Sequence, residues 1–118
     1  MIKSFENLFI WQEARILTNE VYSIVGQSKD YGFKDQIQRA VVSIMNNIAE
    51  GFESGSNAKF INFLNIANGS CSEVRSMLYL CEDFHYCDEQ KRIELQAKTR
   101  QISAGIKTLI TKLSSTSD

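Results

Sequence analysis

Residues 33–52 read FKDQIQRAVVSIMNNIAEGF, and this stretch decides the fold. Four of its apolar side chains recur at steps of three and four residues: Ile37, Val41, Ile44 and Ile48. That period places them on one face of an α-helix, whereas a half-buried strand would alternate apolar and polar residues. Gly51 and Gly55 follow, where helix-ending residues are expected. The stretch therefore predicts an amphipathic helix.

Three further segments show the same period and predict helices over residues 6–25, 57–84 and 88–113. The chain has no proline and only six scattered glycines, so it lacks the turn residues that a many-stranded sheet needs. Short connections force successive helices to run antiparallel. We therefore predict an all-α fold, an antiparallel up-down-up-down four-helix bundle, as a single domain over residues 1–118.

Composition limits the class of protein. Of the 118 residues, 43% are hydrophobic and 23% are charged, which is typical of a globular domain rather than of a disordered chain. The N-terminal residues carry Lys3 and Glu6 and contain no long apolar run, so they indicate neither a signal peptide nor a membrane span. Three cysteines, an odd number, favour reduced thiols. We predict a cytoplasmic protein that does not associate with membranes.

Two catalytic patterns fail on spacing. Gly51, Gly55 and Lys59 do not form a phosphate-binding loop, which needs four residues between its glycines, an adjacent lysine and a preceding strand. A hydrolytic triad needs a positioned base, and the single histidine, His85, has no partner at a suitable spacing. We predict that the protein is not an enzyme and has no catalytic residues.

A metal site has more support but is not favoured. Cys81, His85 and Cys87 lie within seven residues, and the first two share a helix face. A closed zinc site needs four ligands, and Cys71 lies about 80° away around the helix. Buried thiols that pack as small apolar groups explain the pattern better. We predict no metal ion and no cofactor.

A polar stripe runs along the helix predicted over residues 33–52. Its members recur at steps of three or four residues: Gln36, Arg39, Ser43, Asn47 and Glu50. They can hydrogen-bond one another or residues of other helices, for which the candidates are Gln12, Ser70 and Glu73. The stripe is either a ligand or partner site or a set of hydrogen bonds that sets helix register or subunit pairing, and the structural interpretation is favoured. Gly69, inside a predicted helix, suggests that another helix backbone passes close by.

Three segments carry a family resemblance: residues 11–14 (WQEA, including Trp11), 35–51 (DQIQRAVVSIMNNIAEG) and 63–70 (FLNIANGS). In this order they resemble the four-helix-bundle proteins encoded in intervening sequences of bacterial 23S ribosomal RNA genes. The resemblance implies an antiparallel four-helix protomer that assembles as a homopentamer, with no known enzymatic activity. A related branch, the accessory proteins of diversity-generating retroelements, forms similar pentameric barrels that bind a reverse transcriptase and nucleic acid through basic surfaces.

Two departures from the family pattern affect this expectation. Met45 stands where the family often has proline, and Gln38 stands where it often has a basic residue. The formal net charge of −1 gives no general reason to bind nucleic acid. If a local basic patch exists, its candidates lie on the last helix: Arg92, Lys98, Arg100, Lys107 and Lys112. A solvated charged helix face explains these residues equally well.

Three functions compete on this basis. The favoured one is a self-assembling interaction or scaffold module of undefined role, with the polar stripe, its partners and Trp11 as interface candidates. The alternative is a nucleic-acid-binding accessory protein associated with ribosomal RNA or a reverse transcriptase, so RNA, DNA or another protein is a possible partner. The third is a bundle that binds a small molecule or a metal ion.

Overall fold

The computed structural model describes residues 2–116, so Met1, Ser117 and Asp118 of the predicted domain lie outside it. A short 3-10 helix, Phe5–Asn7, precedes four α-helices: α1 (Phe9–Val25), α2 (Tyr31–Phe52), α3 (Asn57–Asp83) and α4 (Glu89–Ser114). The predicted all-α class and the four helices are confirmed. The first helix was predicted to begin at residue 6, but Leu8 is extended and separates the 3-10 turn from α1.

Side-chain caps explain where three of the helices begin. A carboxylate or hydroxyl oxygen of the residue before each helix accepts a hydrogen bond from a backbone N–H of the first turn. The distances are 3.2 Å for Asp30 and Phe33, 3.2 Å for Ser56 and Lys59, and 2.8 Å for Asp88 and Lys91. These bonds satisfy N–H groups that have no partner within the helix, and so they define the starts of α2, α3 and α4.

Contacts between helices establish the antiparallel arrangement. Gln36 and Ser43 of α2 meet Glu73 and Ser70 of α3 in reversed order. In the same way, Glu13 and Glu20 of α1 meet Lys98 and Lys91 of α4, and Arg75 and Asn68 of α3 meet Gln96 and Ser103 of α4. Each helix packs against its neighbour in the chain, and α4 returns to α1. The helices therefore alternate in direction, as an up-down-up-down bundle requires.

Apolar residues from all four helices form one core. The largest fully buried side chains include Leu17, Ile44, Leu64, Leu78 and Ile102. No helix within residues 2–116 is long and apolar enough to cross a membrane.

Two helical glycines, Gly51 and Gly69, differ in what surrounds them. A Cβ atom on Gly51 would lie 2.7 Å from Cδ1 of Phe60, so α2 and α3 approach closely there. By contrast, a Cβ on Gly69 would meet no atom of another helix within 4 Å among residues 2–116. The prediction that Gly69 marks a close helix crossing is therefore wrong within one protomer. Gly69 is on the exposed face of α3, a position that the glycine alone did not reveal.

Candidate interaction surfaces

The polar stripe of α2 forms part of its boundary with α3. The Ser70 hydroxyl donates to Ser43 Oγ at 2.9 Å, and the Asn47 side-chain amide donates to the same oxygen at 2.9 Å. About two turns before Ser43 in α2, the Gln36 amide donates to Glu73 Oε2 at 3.2 Å. The structure thus brings five of the predicted residues together in hydrogen bonds within and between the two helices. Such bonds set the register of α2 against α3.

The remaining two stripe residues face outward. Arg39 pairs with Asp35 at 2.7 Å, and both side chains are largely exposed. Glu50 is exposed and forms no ion pair with any residue from 2 to 116. A cleft of about 420 Å³ follows the outer side of α2, and we call it the α2 cleft. Its walls include Tyr22 of α1 and several residues of α2: Gln38, Arg39, Val42, Asn46 and Glu50.

Trp11 and Gln12 lie apart from the α2 stripe. The Trp11 ring packs edge-on against Phe5, with 5.1 Å between ring centroids, and the Arg15 guanidinium lies 5.9 Å from the Trp11 ring. The Gln12 amide donates to the backbone oxygen of Glu6 at 2.8 Å. These contacts fasten the 3-10 helix to α1. Within residues 2–116, no hydrogen bond or ion pair joins either residue to the stripe.

Two of the five basic candidates are engaged within the protomer. Arg92 is ion-paired with Glu82, donates to Gln96 Oε1 at 2.8 Å and lies 4.8 Å from the Tyr79 ring centroid. The hydrogen bond to Glu82 raises the pKa of the Arg92 guanidinium. Lys98 pairs with Glu13 at 2.6 Å and is also mostly buried. These contacts occupy both cations and leave little of either for a phosphate.

The other three basic candidates are exposed and form no ion pair with a described residue: Arg100, Lys107 and Lys112. Arg100 and Lys107 are seven residues apart and share one stripe of α4 with Ile93, which is 52% exposed. Lys112 lies about 140° from Lys107 around the helix. The five candidates therefore do not form one basic face.

A charge-free face of α3 was not recognised from the sequence. Residues 60–72, FINFLNIANGSCS, contain no Asp, Glu, Lys or Arg. The exposed members of this run are Asn62, Asn65, Ile66, Gly69 and Ser72, and Ile66 is 53% exposed. The run itself was the available signal, because a solvated helix face usually carries charged side chains. We call these five residues the α3 face.

The thiols do not form a reactive or metal-binding cluster. Burial raises the pKa of Cys71 and of Cys81 to about 12, and it also raises the pKa of Cys87. His85 is exposed at the turn after α3. Among residues 2–116 no group of three or more His, Cys, Asp or Glu side chains is arranged to hold a metal ion. The thiols pack as small apolar groups at neutral pH.

Comparison with known proteins agrees with this fold. A sequence model of the 23S rRNA-intervening sequence protein family matches residues 6–108. A search of curated proteins gives no match. A crystal structure of a protein with unknown function, from the S23 ribosomal protein family of Bacteroides thetaiotaomicron, has a TM-score of 0.75 and 25% sequence identity. That similarity covers 86% of this chain and 95% of the other. Because the family match spans most of its length, this chain belongs to the 23S rRNA-intervening sequence protein family.

Proposed function

We propose that this protein is a non-enzymatic interaction module of the cytoplasm that works as a self-assembled homo-oligomer, a ring of five copies. The observation that carries the proposal is the α3 face, an exposed helix surface without charge. Charged residues are depleted at the centres of protein interfaces but are common on solvated surfaces. A second copy of the chain is the partner that this surface fits.

Gly69 strengthens this argument. A glycine inside a helix costs about 1 kcal/mol relative to alanine. No atom of another helix in the described chain lies within 4 Å of the place where its Cβ would be, so packing inside the bundle does not require a glycine. The close approach of a helix from another copy would require a glycine, because the missing side chain lets two backbones come together.

One face of α3 is too small to form a stable interface by itself. With 27 residues, α3 is about 40 Å long, but one helix face covers less than the roughly 800 Å² that each partner of a stable interface buries. The contact therefore extends beyond α3 onto neighbouring helices. The number five rests on the resemblance to the family, and measurement of the native mass decides it.

Native mass spectrometry and light scattering test self-assembly. We expect the wild-type protein to have a mass several times its protomer mass of 13.4 kDa. Gly69→Arg, which places a charge on the α3 face and improves helix propensity, should yield protomers. Gln101→Arg, which adds the same side chain at another exposed position, on α4, is the control and should leave the assembly intact. A wild-type mass of one protomer at all concentrations would contradict the proposal.

A second function, nucleic-acid binding, is favoured by one observation on α4. Residues 95–116 contain four basic and no acidic residues, and Arg100 and Lys107 remain unpaired within the described chain. Affinity for RNA that falls steeply with salt, and that Arg100→Ala with Lys107→Ala weakens, would support an accessory role beside ribosomal RNA or a reverse transcriptase. The absence of a gel shift at low salt would eliminate this function.

A further inference from the structure

Ile93, Arg100 and Lys107 form a ridge on the exposed side of α4, which we call the α4 ridge. Their seven-residue spacing aligns them along the helix axis. On α3, Tyr79 is 51% exposed and its ring centroid lies 4.8 Å from the guanidinium carbon of Arg92, next to Ile93 in the chain. The backbone oxygen of Arg75 accepts a hydrogen bond from Gln96 of α4. Arg75, Arg100 and Lys107 have no carboxylate partner among residues 2–116. The ridge thus has an apolar end at Ile93 and a cationic end at Arg100 and Lys107. Tyrosine and arginine, the residue types of Tyr79 and Arg75 on α3, are enriched at interfaces.

The α2 cleft has the complementary order of chemistry. Near its middle, Tyr22 and Val42 supply apolar surface, and Tyr22 is 43% exposed. Further along α2, Glu50 supplies a carboxylate without a cationic partner in the described chain. The other carboxylate of the cleft, Asp35, is already paired with Arg39. The only charge of the cleft without a partner in the described chain is therefore the negative charge of Glu50, which lies on the C-terminal side of the apolar part.

The two surfaces match in length and direction. Val42 and Glu50 are eight residues apart, about 12 Å along α2, and Ile93 and Arg100 are seven residues apart, about 10.5 Å along α4. In an alternating bundle α2 and α4 run in the same direction. Two copies with parallel axes can therefore place the α4 ridge of one along the α2 cleft of the other in matching order.

We propose that the α4 ridge of one copy docks in the α2 cleft of the next copy. Ile93 then packs on Tyr22 and Val42, and Arg100 pairs with Glu50. This inference rests on the self-assembly proposed above and names the two surfaces that meet.

The contact is head-to-tail, because different surfaces of the same chain meet. In the bundle α3 packs against both α2, which carries the cleft, and α4, which carries the ridge. Repetition of such a contact closes a ring when the rotation between copies divides a full turn, as the proposed ring of five copies requires. The α3 face then turns toward the ring axis, where copies of α3 come together around Gly69.

A charge-swap experiment tests the pairing. Glu50→Arg and Arg100→Glu each place like charges together, so we expect each to raise the dissociation constant of the assembly by about tenfold or more. The double variant Glu50→Arg with Arg100→Glu restores an opposite pair and should regain most of the wild-type assembly. Lys112→Glu makes the same charge change as Arg100→Glu on another side of α4 and is the matched control.

Sedimentation velocity at low and high salt measures all four variants, and circular dichroism shows that each is folded. Weakening by both single changes, rescue in the double variant and no effect of Lys112→Glu establish the contact. An assembled wild type with unaffected single variants, or with no rescue, overturns this pairing and leaves self-assembly standing. A wild type that is a protomer in all conditions contradicts the proposed function itself.

Discussion

The position of a Cβ atom on Gly105 lies 2.5 Å from Cγ2 of Ile10, so α1 and α4 touch where no side chain fits between them. Cγ2 of Ile10 belongs to a β-branched side chain, whose χ1 rotation is restricted in a helix. The neighbouring helix must therefore move if Gly105 gains even a methyl group. Gly69, in contrast, has open space at the same atom.

This contrast predicts opposite effects of one substitution at two positions. Gly105→Ala should lower the free energy of unfolding by up to about 2 kcal/mol, because overpacking outweighs the gain in helix propensity. Gly69→Ala should raise the stability of the protomer by about 1 kcal/mol, because only the propensity changes. Urea denaturation at a concentration where both variants are protomers measures the two effects. Equal effects of the same sign would refute the close approach of α1 and α4.

His85 has a φ of 65°, the left-handed conformation in which glycine is favoured. It ends α3 in a Schellman motif, in which the N–H of Tyr86 donates to the Cys81 oxygen at 2.8 Å and the N–H of His85 donates to the Glu82 oxygen at 3.0 Å. His85→Gly should therefore raise the free energy of unfolding by about 1 kcal/mol. Thermal and urea denaturation measure the gain. His85→Ala, which keeps the conformational strain, should show no comparable gain.

Ser43 accepts hydrogen bonds from both Ser70 and Asn47. Ser43→Ala leaves two half-buried donors without this acceptor, so we expect a loss of about 1 kcal/mol in the free energy of unfolding. At a protein concentration where both variants are protomers, the exposed Ser72, whose hydroxyl makes only a 3.5 Å contact with the Asn68 oxygen, provides the control. If Ser72→Ala destabilises the protein as much as Ser43→Ala, the bonds around Ser43 do not stabilise the α2–α3 boundary.

The buried thiols predict how stability changes at alkaline pH. Burial raises the pKa of Cys71 and Cys81 from an ordinary value of 9.0 to about 12. Above pH 9 the unfolded chain loses these protons while the folded chain keeps them, so their contribution to stability falls as pH rises from 9 toward 12. Replacement of both by alanine should flatten the dependence of Tm on pH in this range, whatever its effect at pH 7. An unchanged slope would show that other groups cause the alkaline loss.

The same burial predicts the order of thiol modification. Cys87 is partly exposed, whereas Cys71 and Cys81 are buried. Iodoacetamide at pH 8 should therefore label Cys87 first, and the other two only after urea is added. Peptide mass spectrometry identifies the labelled residue. Rapid labelling of Cys71 in the folded protein would contradict its burial in the core.

Periodicity along the chain was enough to establish four helices, and α2 and α3 end within a residue of their predicted ends. The spacing of Ile37, Val41, Ile44 and Ile48 places all four residues on one face of α2, and all four are buried. Which face of a helix is apolar depends only on the sequence of that helix, so the pattern along the chain predicts which residues become buried.

How each helix faces its neighbours was decided only when the four packed together. Arg92 and Arg100 belong to the same charged helix, yet one is held by Glu82 and Tyr79 and the other is exposed. Gly69 and Gly105 are both helical glycines, yet only Gly105 lies at a helix contact. These differences depend on which side chain of a neighbouring helix lies next to each residue. Such neighbours are far apart in the chain, so they are known only from the packed structure.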